Sequence, residues 1–229
     1  MMKHRTILGW AGALLALGAG TALAFTEAAG RVTRVIGAAE VLRDGQHLPL
    51  AKDDVVRSGD TLRTPVDGRL QWWMEDDALL VIATRSQAQV RSFDPAVSEA
   101  LFQIERGGLR VIAGAVRPKV LTPRATVTSA DADFSTVVCD QRCGPDRGHV
   151  YVVVNAGAAR VSNPEGSVEA HAGQIVQVAS PPTLVAKANV SAAVLQIAAE
   201  LVIDAGVDPL VPDVPVQPLP PVDLPGSPS

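Results

Sequence analysis

The residues able to do chemistry concentrate in one run, RSGDTLRTPVDGRLQWWMEDDA at positions 57–78, which holds five acids, two glycines and a tryptophan pair. Carboxylates so close together could act as a general acid and base or as oxygen ligands for calcium. Asp60 follows Gly59 and Asp67 precedes Gly68, positions where a turn favours a short side chain that bonds its own backbone. Glu75, Asp76 and Asp77 fall between WWM and ALLVIA, in the slot of a hairpin loop. The spacing of a helix–loop–helix calcium site is absent, and no histidine is tied to the run by sequence. Turn chemistry is therefore the leading reading and a structural calcium the alternative. Asp131 and Asp133 in TSADADFST divide in the same way, between a cation site and a turn at a strand edge.

The tryptophans carry more information. Neighbours on a strand point to opposite faces, so Leu70, Trp72 and Met74 share one face and Gln71, Trp73 and Glu75 the other. The first set reads as core. Trp73, on the polar side with Gln71 and Glu75, is either covered by another element or exposed as a contact residue, since aromatics anchor interfaces. These three are the candidate partner-binding residues. Cys139 and Cys143, the only two cysteines, sit in CDQRCGPDRG. A disulfide stapling a hairpin tip is the simplest use in an exported chain; a redox pair or half a metal site is the alternative, with His149 the nearest further ligand. No GxSxG, HExxH or phosphate-cradling glycine loop is present, and the four histidines are scattered. The expectation is no enzyme, no catalytic residue, no cofactor and no metal.

These residues must be held by short strands. Between 31 and 178, runs such as RVTRVIG, AEVLRDGQHLPL, RLQWWM, LFQIERGGLRVIAG and HVYVVVNAGAARVSN alternate or cluster apolar residues between Gly, Asp and Pro. That pattern predicts a mainly β fold, an antiparallel sandwich or roll of many short strands. Asp44-Gly45 and Asp67-Gly68 read as tight turns, and Arg106-Gly107-Gly108-Leu109 as a hairpin through a Gly pair. Gly37-Ala38-Ala39-Glu40-Val41 echoes Gly157-Ala158-Ala159-Arg160-Val161, each followed by a polar turn and an apolar strand. Residues 189–206, NVSAAVLQIAAELVIDAG, predict one helix with Ser191 as N-cap, Gly206 as stop and a polar stripe of Gln196, Glu200 and Asp204. Such a largely apolar helix covers the β domain or docks on a partner.

Both ends differ from this middle. Residues 1–24 have a basic start, an apolar run and Ala22-Leu23-Ala24, the pattern of a secretory signal peptide, with an uncleaved anchor as the alternative. Residues 207–229 carry proline at every second or third position, which favours an extended, disordered tail that serves as a spacer or a docking peptide. The expected organisation is thus a signal peptide at 1–24, a β domain at 25–180, a linker and packing helix at 181–206, and the tail. In 229 residues the net charge is −4, and no Lys/Arg stripe exists to neutralise phosphates, which argues against nucleic acid.

The order of elements resembles the FecR-type periplasmic domain over about residues 31–178. The resemblance is carried by Val32 to Gly37, the Asp44-Gly45 turn, Val56-Arg57-Ser58-Gly59-Asp60-Thr61-Leu62-Arg63-Thr64, the strand Gly68 to Met74, Gly108 to Val111, Leu121 to Val127, and Val152 to Gly157 with Ala172-Gly173-Gln174. Two places depart from the family pattern. Glu75-Asp76-Asp77-Ala78 replaces an Asp-Gly turn, and Ser129 to Asp133 replaces an Arg-Gly-Thr entry to the strand of Phe134. Signalling members of that family hold a sigma factor with a cytoplasmic domain and sense an outer-membrane receptor with their periplasmic FecR part. The resemblance implies a stand-alone, non-catalytic interaction module in the periplasm, or secreted, whose partner is an envelope protein. A carbohydrate- or peptidoglycan-binding face around Trp73 is the alternative.

Overall fold

A computed structural model of the chain describes residues 28–202. The signal peptide expected at 1–24 and the Pro-rich tail expected at 207–229 lie outside the described residues. Within them the polypeptide builds two sheets that share one strand. The first runs β4 (Val55–Arg57), β1 (Ala28–Ile36), β6 (Arg69–Met74), β7 (Leu79–Ile82), β9 (Glu99–Ile112), β12 (Asp133–Val138), β13 (Val150–Ala156), β16 (Ile175–Gln177) and β17 (Thr183–Val185). The second runs β3 (Gln46–Pro49), β2 (Glu40–Arg43), β5 (Thr61–Arg63), β8 (Gln87–Asp94), β9 again, β10 (Arg117–Leu121), β11 (Thr126–Ser129), β14 (Ala158–Asn163) and β15 (Gly166–His171). Every pairing is antiparallel except β9 with β10. The inner faces meet in one core, with Trp72, Leu80, Leu109 and Phe134 from the first sheet and Leu62, Val90, Phe102 and Val127 from the second. The mainly β sandwich read from the sequence is the observed fold.

Glycine decides where the chain changes sheets. Gly37, at φ +64°, ends β1 in the first sheet and lets β2 begin in the second; Gly157, at φ +69°, does the same between β13 and β14. A side chain at Gly37 would also collide with the Asp67 carbonyl oxygen. The sequence echo therefore marks two equivalent corners, each followed by a hairpin, β2–β3 or β14–β15. The Gly107-Gly108 pair corrects an expectation. It is no hairpin but the bend of a continuous 14-residue strand, β9. Arg106 pairs with Gln87 in the second sheet, whereas Gly107 pairs with Val138 in the first. Only a residue tolerating φ +81° can make that bend at position 107.

The carboxylates of residues 57–78 separate into two kinds. Asp67 lies in the turn closed by the Gly68 amide on the Pro65 carbonyl (3.3 Å). Asp76 and Asp77 build the β6–β7 hairpin loop: the Asp77 amide donates to the Met74 carbonyl (3.2 Å), and Asp76 accepts from the amides of Ala78 (3.3 Å) and Val116 (3.0 Å). Asp60 is different. Its side chain is 2% exposed, takes Nε and Nη2 of Arg43 at 2.8 and 2.6 Å, and accepts the Arg57 amide at 2.8 Å.

The helix, α1 (Ala192–Glu200), is shorter than the 191–205 expected between the Ser191 cap and the Gly206 stop. Ser191 caps it by accepting the Val194 amide at 3.4 Å, and Leu201 ends it, while Gly206 lies outside the described residues. Its buried line, Val194, Ile197 and Leu201, packs on Val81, Ala83, Val137, Tyr151 and Ile175 together with Cys139 and Cys143. Burying each such aliphatic side chain contributes about 1.5–3 kcal/mol, so three of them suffice to hold a nine-residue helix that would not persist alone. Gly108 makes the approach possible, since a Cβ there would come within 2.9–3.1 Å of Ile197, Leu201 and Ala83.

Candidate functional site

Strand alternation fixes what the outer face of the first sheet presents. Its cross-strand register forms rows. One row, Gly108, Val137 and Tyr151, lies under the helix. The next is Arg34, Gln71, Val81, Arg110, Ser135 and Val153. The third is Arg31, Trp73, Leu79, Ile112 and Asp133. Successive rows are two residues apart along each strand, about 7 Å. The helix stops at the second row, where Arg110 and Arg69 donate to its last carbonyls, Leu201 at 3.1 Å and Glu200 at 3.3 Å. Cations there satisfy orphan carbonyls and oppose the negative end of the helix dipole. The Glu200 carboxylate reaches back to the amide (3.2 Å) and hydroxyl (2.8 Å) of Thr84.

The third row lies past the end of the helix. Trp73 is half-buried, and its indole Nε1 donates to Asp77 at 3.3 Å. Ile112 beyond it is also half-buried, Leu79 between them is 6% exposed, and Arg31 opposite Trp73 is exposed. At the far end Asp133 accepts from Arg110 Nε and Nη2 at 2.7 and 2.6 Å and from Asn155 at 3.0 Å. A carboxylate held this way is neutralised by its guanidinium, which leaves little charge for the cation considered from the sequence. Asp131 is exposed in the preceding turn.

The structure brings Gln71 and Trp73 to one face, as strand alternation requires, and puts the exposed Glu75 at the rim, in the loop after β6. Sequence reasoning did not find Arg31, Leu79, Ile112 or the Arg110–Asp133 pair. Only the pairing of β1, β7, β9 and β12 brings them beside Trp73, and no local motif announces that register.

The cysteine loop is a second polar centre. Cys139, directly after β12, and Cys143, in the 3₁₀ segment Gln141–Asp146 on the way to β13, stand at disulfide-bonding distance, with Cα atoms 5.5 Å apart. Both are buried against the helix, at 4% and 1% exposure. Nearby, Tyr151 donates to Asp146 at 3.0 Å and accepts from Gln177 at 3.2 Å. A hydrogen bond from Ser191, then that from Tyr151, holds the Asp146 carboxyl below its ordinary range. Burial, then Asp146, pushes the Tyr151 hydroxyl up to about 12. Among the described residues, no group of three or more His, Cys, Asp or Glu could hold a metal ion. No helix among them is long and apolar enough to cross a membrane.

Fold and face together define a β sandwich presenting an aromatic and arginine row past the end of a packed helix. Residues 60–160 match the family model described as FecR protein. The FecR resemblance is thereby borne out, over a shorter span than the 31–178 expected. No curated protein matches the chain. Two crystal structures of a protein described as a candidate anti-sigma factor from Parabacteroides distasonis are similar at 14% and 13% identity, with TM-scores of 0.46 and 0.45. Each alignment covers 55% of this chain and 58% of the other, so the chain spans little more than half of those structures.

Proposed function

We propose that the protein is a non-catalytic FecR-like interaction module of the bacterial envelope, periplasmic or secreted, that takes part in signalling or assembly by binding a protein partner through the Trp73 row. One observation carries the reading: within a chain whose residues 60–160 match FecR, a tryptophan and an arginine sit side by side past the helix end, with Leu79 and Ile112 behind them. Tryptophan and arginine dominate binding energy at protein interfaces, and they do so when flanked by contacts that exclude water. Gln71 and Glu75 supply the polar margin of such a patch. The signal-peptide pattern at 1–24 supports the location.

The test is photocrosslinking in intact cells with benzoylphenylalanine at position 73, compared with position 97, an exposed valine in the turn between β8 and β9. The expected result is one reproducible protein adduct from position 73 and none from 97. Equal adducts from both positions would sink the reading, and adducts to glycan alone would replace it with cell-wall binding.

A further inference from the structure

The last described residue, Val202, is 60% exposed and sits on the second row, beside Arg34, Gln71 and Val81 in one groove and Val153, Leu195 and Ala198 in another. That row is next to the row of Trp73, successive rows being about 7 Å apart along a strand. The sequence that follows Val202, IDAGVDPLVPDVPV over residues 203–216, alternates Val, Leu and Pro with Asp204, Asp208 and Asp213 and contains no Lys or Arg. The Trp73 row has the opposite character. Arg31 is exposed; it donates to the Asp53 carbonyl at 3.3 Å and makes no ion pair among the described residues. Trp73 and Ile112 are half-buried beside it.

We propose that residues 203–216 of this same chain dock on the Arg31–Trp73–Leu79–Ile112 row and are the segment an envelope partner must displace. This rests on the reading of that row as the binding face and adds its regulation. Three features select the occupant. The first is reach: four strands span about 15 Å at 4.8 Å spacing, whereas extended proline-rich chain advances about 3.1 Å per residue, so about five residues cross the row. The second is shape, since proline-rich segments dock aromatic-lined surfaces with little ordering cost. The third is charge: the aspartates are the only ionisable residues of the segment, and Arg31 is the cation at the end of the row. Because docking is intramolecular, the segment acts at a millimolar-scale effective concentration, enough for a weak contact to hold the face.

The experiment uses the full purified chain at low concentration with benzoylphenylalanine at position 73 and, separately, at position 112, so that losing the indole does not decide the outcome. Irradiation followed by peptide mapping is expected to give adducts within residues 203–216 at monomer mass from both positions. A paired variant, Leu210→Asp with Val211→Asp, is expected to abolish those adducts, leave the melting temperature unchanged, and raise partner capture in cells several-fold. Adducts of dimer mass, or none within 203–216 from either position, would overturn the proposal. The two readings fail separately: tail adducts in the purified chain without any partner in cells sink the interaction module alone, and the reverse pattern sinks the docked segment alone.

Discussion

Asp60 shows how one carboxylate in a run of five takes on a task the others lack. Its side chain is 2% exposed and answers two guanidinium nitrogens and an amide, so Asp60→Ala leaves Arg43 without its partner. Removing one member of a buried pair costs about 3–5 kcal/mol, and the lower figure applies because Arg43, at 21% exposure, can turn toward water. Asp67→Ala, in a surface turn, should change stability by less than about 1 kcal/mol. Urea midpoints of the two variants check this; comparable losses would mean that Asp60 acts only as a turn residue. The sequence placed Asp60 beside a glycine and so among the turns. Its actual partner lies 17 residues earlier, on another strand, and no short-range pattern encodes that meeting.

The helix and the cysteine loop make one unit at the next scale. Ile197 bridges Gly108 and the apolar patch beneath, so Ile197→Ala should cost about 2–4 kcal/mol, read as a lowered thermal midpoint. The same unit carries a pH dependence. Asp146 is held below its usual range by Ser191 and then Tyr151, a depressed folded pKa. Its contribution is therefore complete above the unfolded value near 4 and is lost as the pH falls through the lower folded value. Melting scans between about pH 2 and 6 should show that loss, and Asp146→Asn should flatten it. The sequence revealed this helix and its Ser191 cap because apolar spacing and capping are local. It placed the end too late, since residues 201 and 202 continue the apolar pattern while Arg69 and Arg110 terminate the helix from distant strands. The Trp73 face was legible in the same limited way. Alternation separated Trp72 from Trp73, but the neighbours of Trp73 depend on four other strands.

Across the whole molecule, the β class was readable because short alternating runs and Gly or Asp turns recur throughout residues 31–178. The Gly37 and Gly157 echo even marked the two corners where the chain changes sheets. The Gly107-Gly108 pair misled for the same reason it matters: glycine signals a reversal and a bend alike, and only the continuity of β9 separates them. Because β9 pairs with β7, β8, β10 and β12, its amides should be the slowest to exchange with deuterium. Fast exchange there, with slow exchange in β15 or β17, would contradict a single cooperative sandwich.

That continuous strand also has a mechanical meaning. Load arriving at Glu99 through the second sheet and load arriving at Ile112 through the first are carried by one covalent backbone, perpendicular to its inter-strand hydrogen bonds and therefore in shear. A pull on one sheet is handed to the other without passing through a flexible joint. A partner gripping the Trp73 row, which includes Ile112, would thus be tethered to the spine of the molecule rather than to a detachable flap.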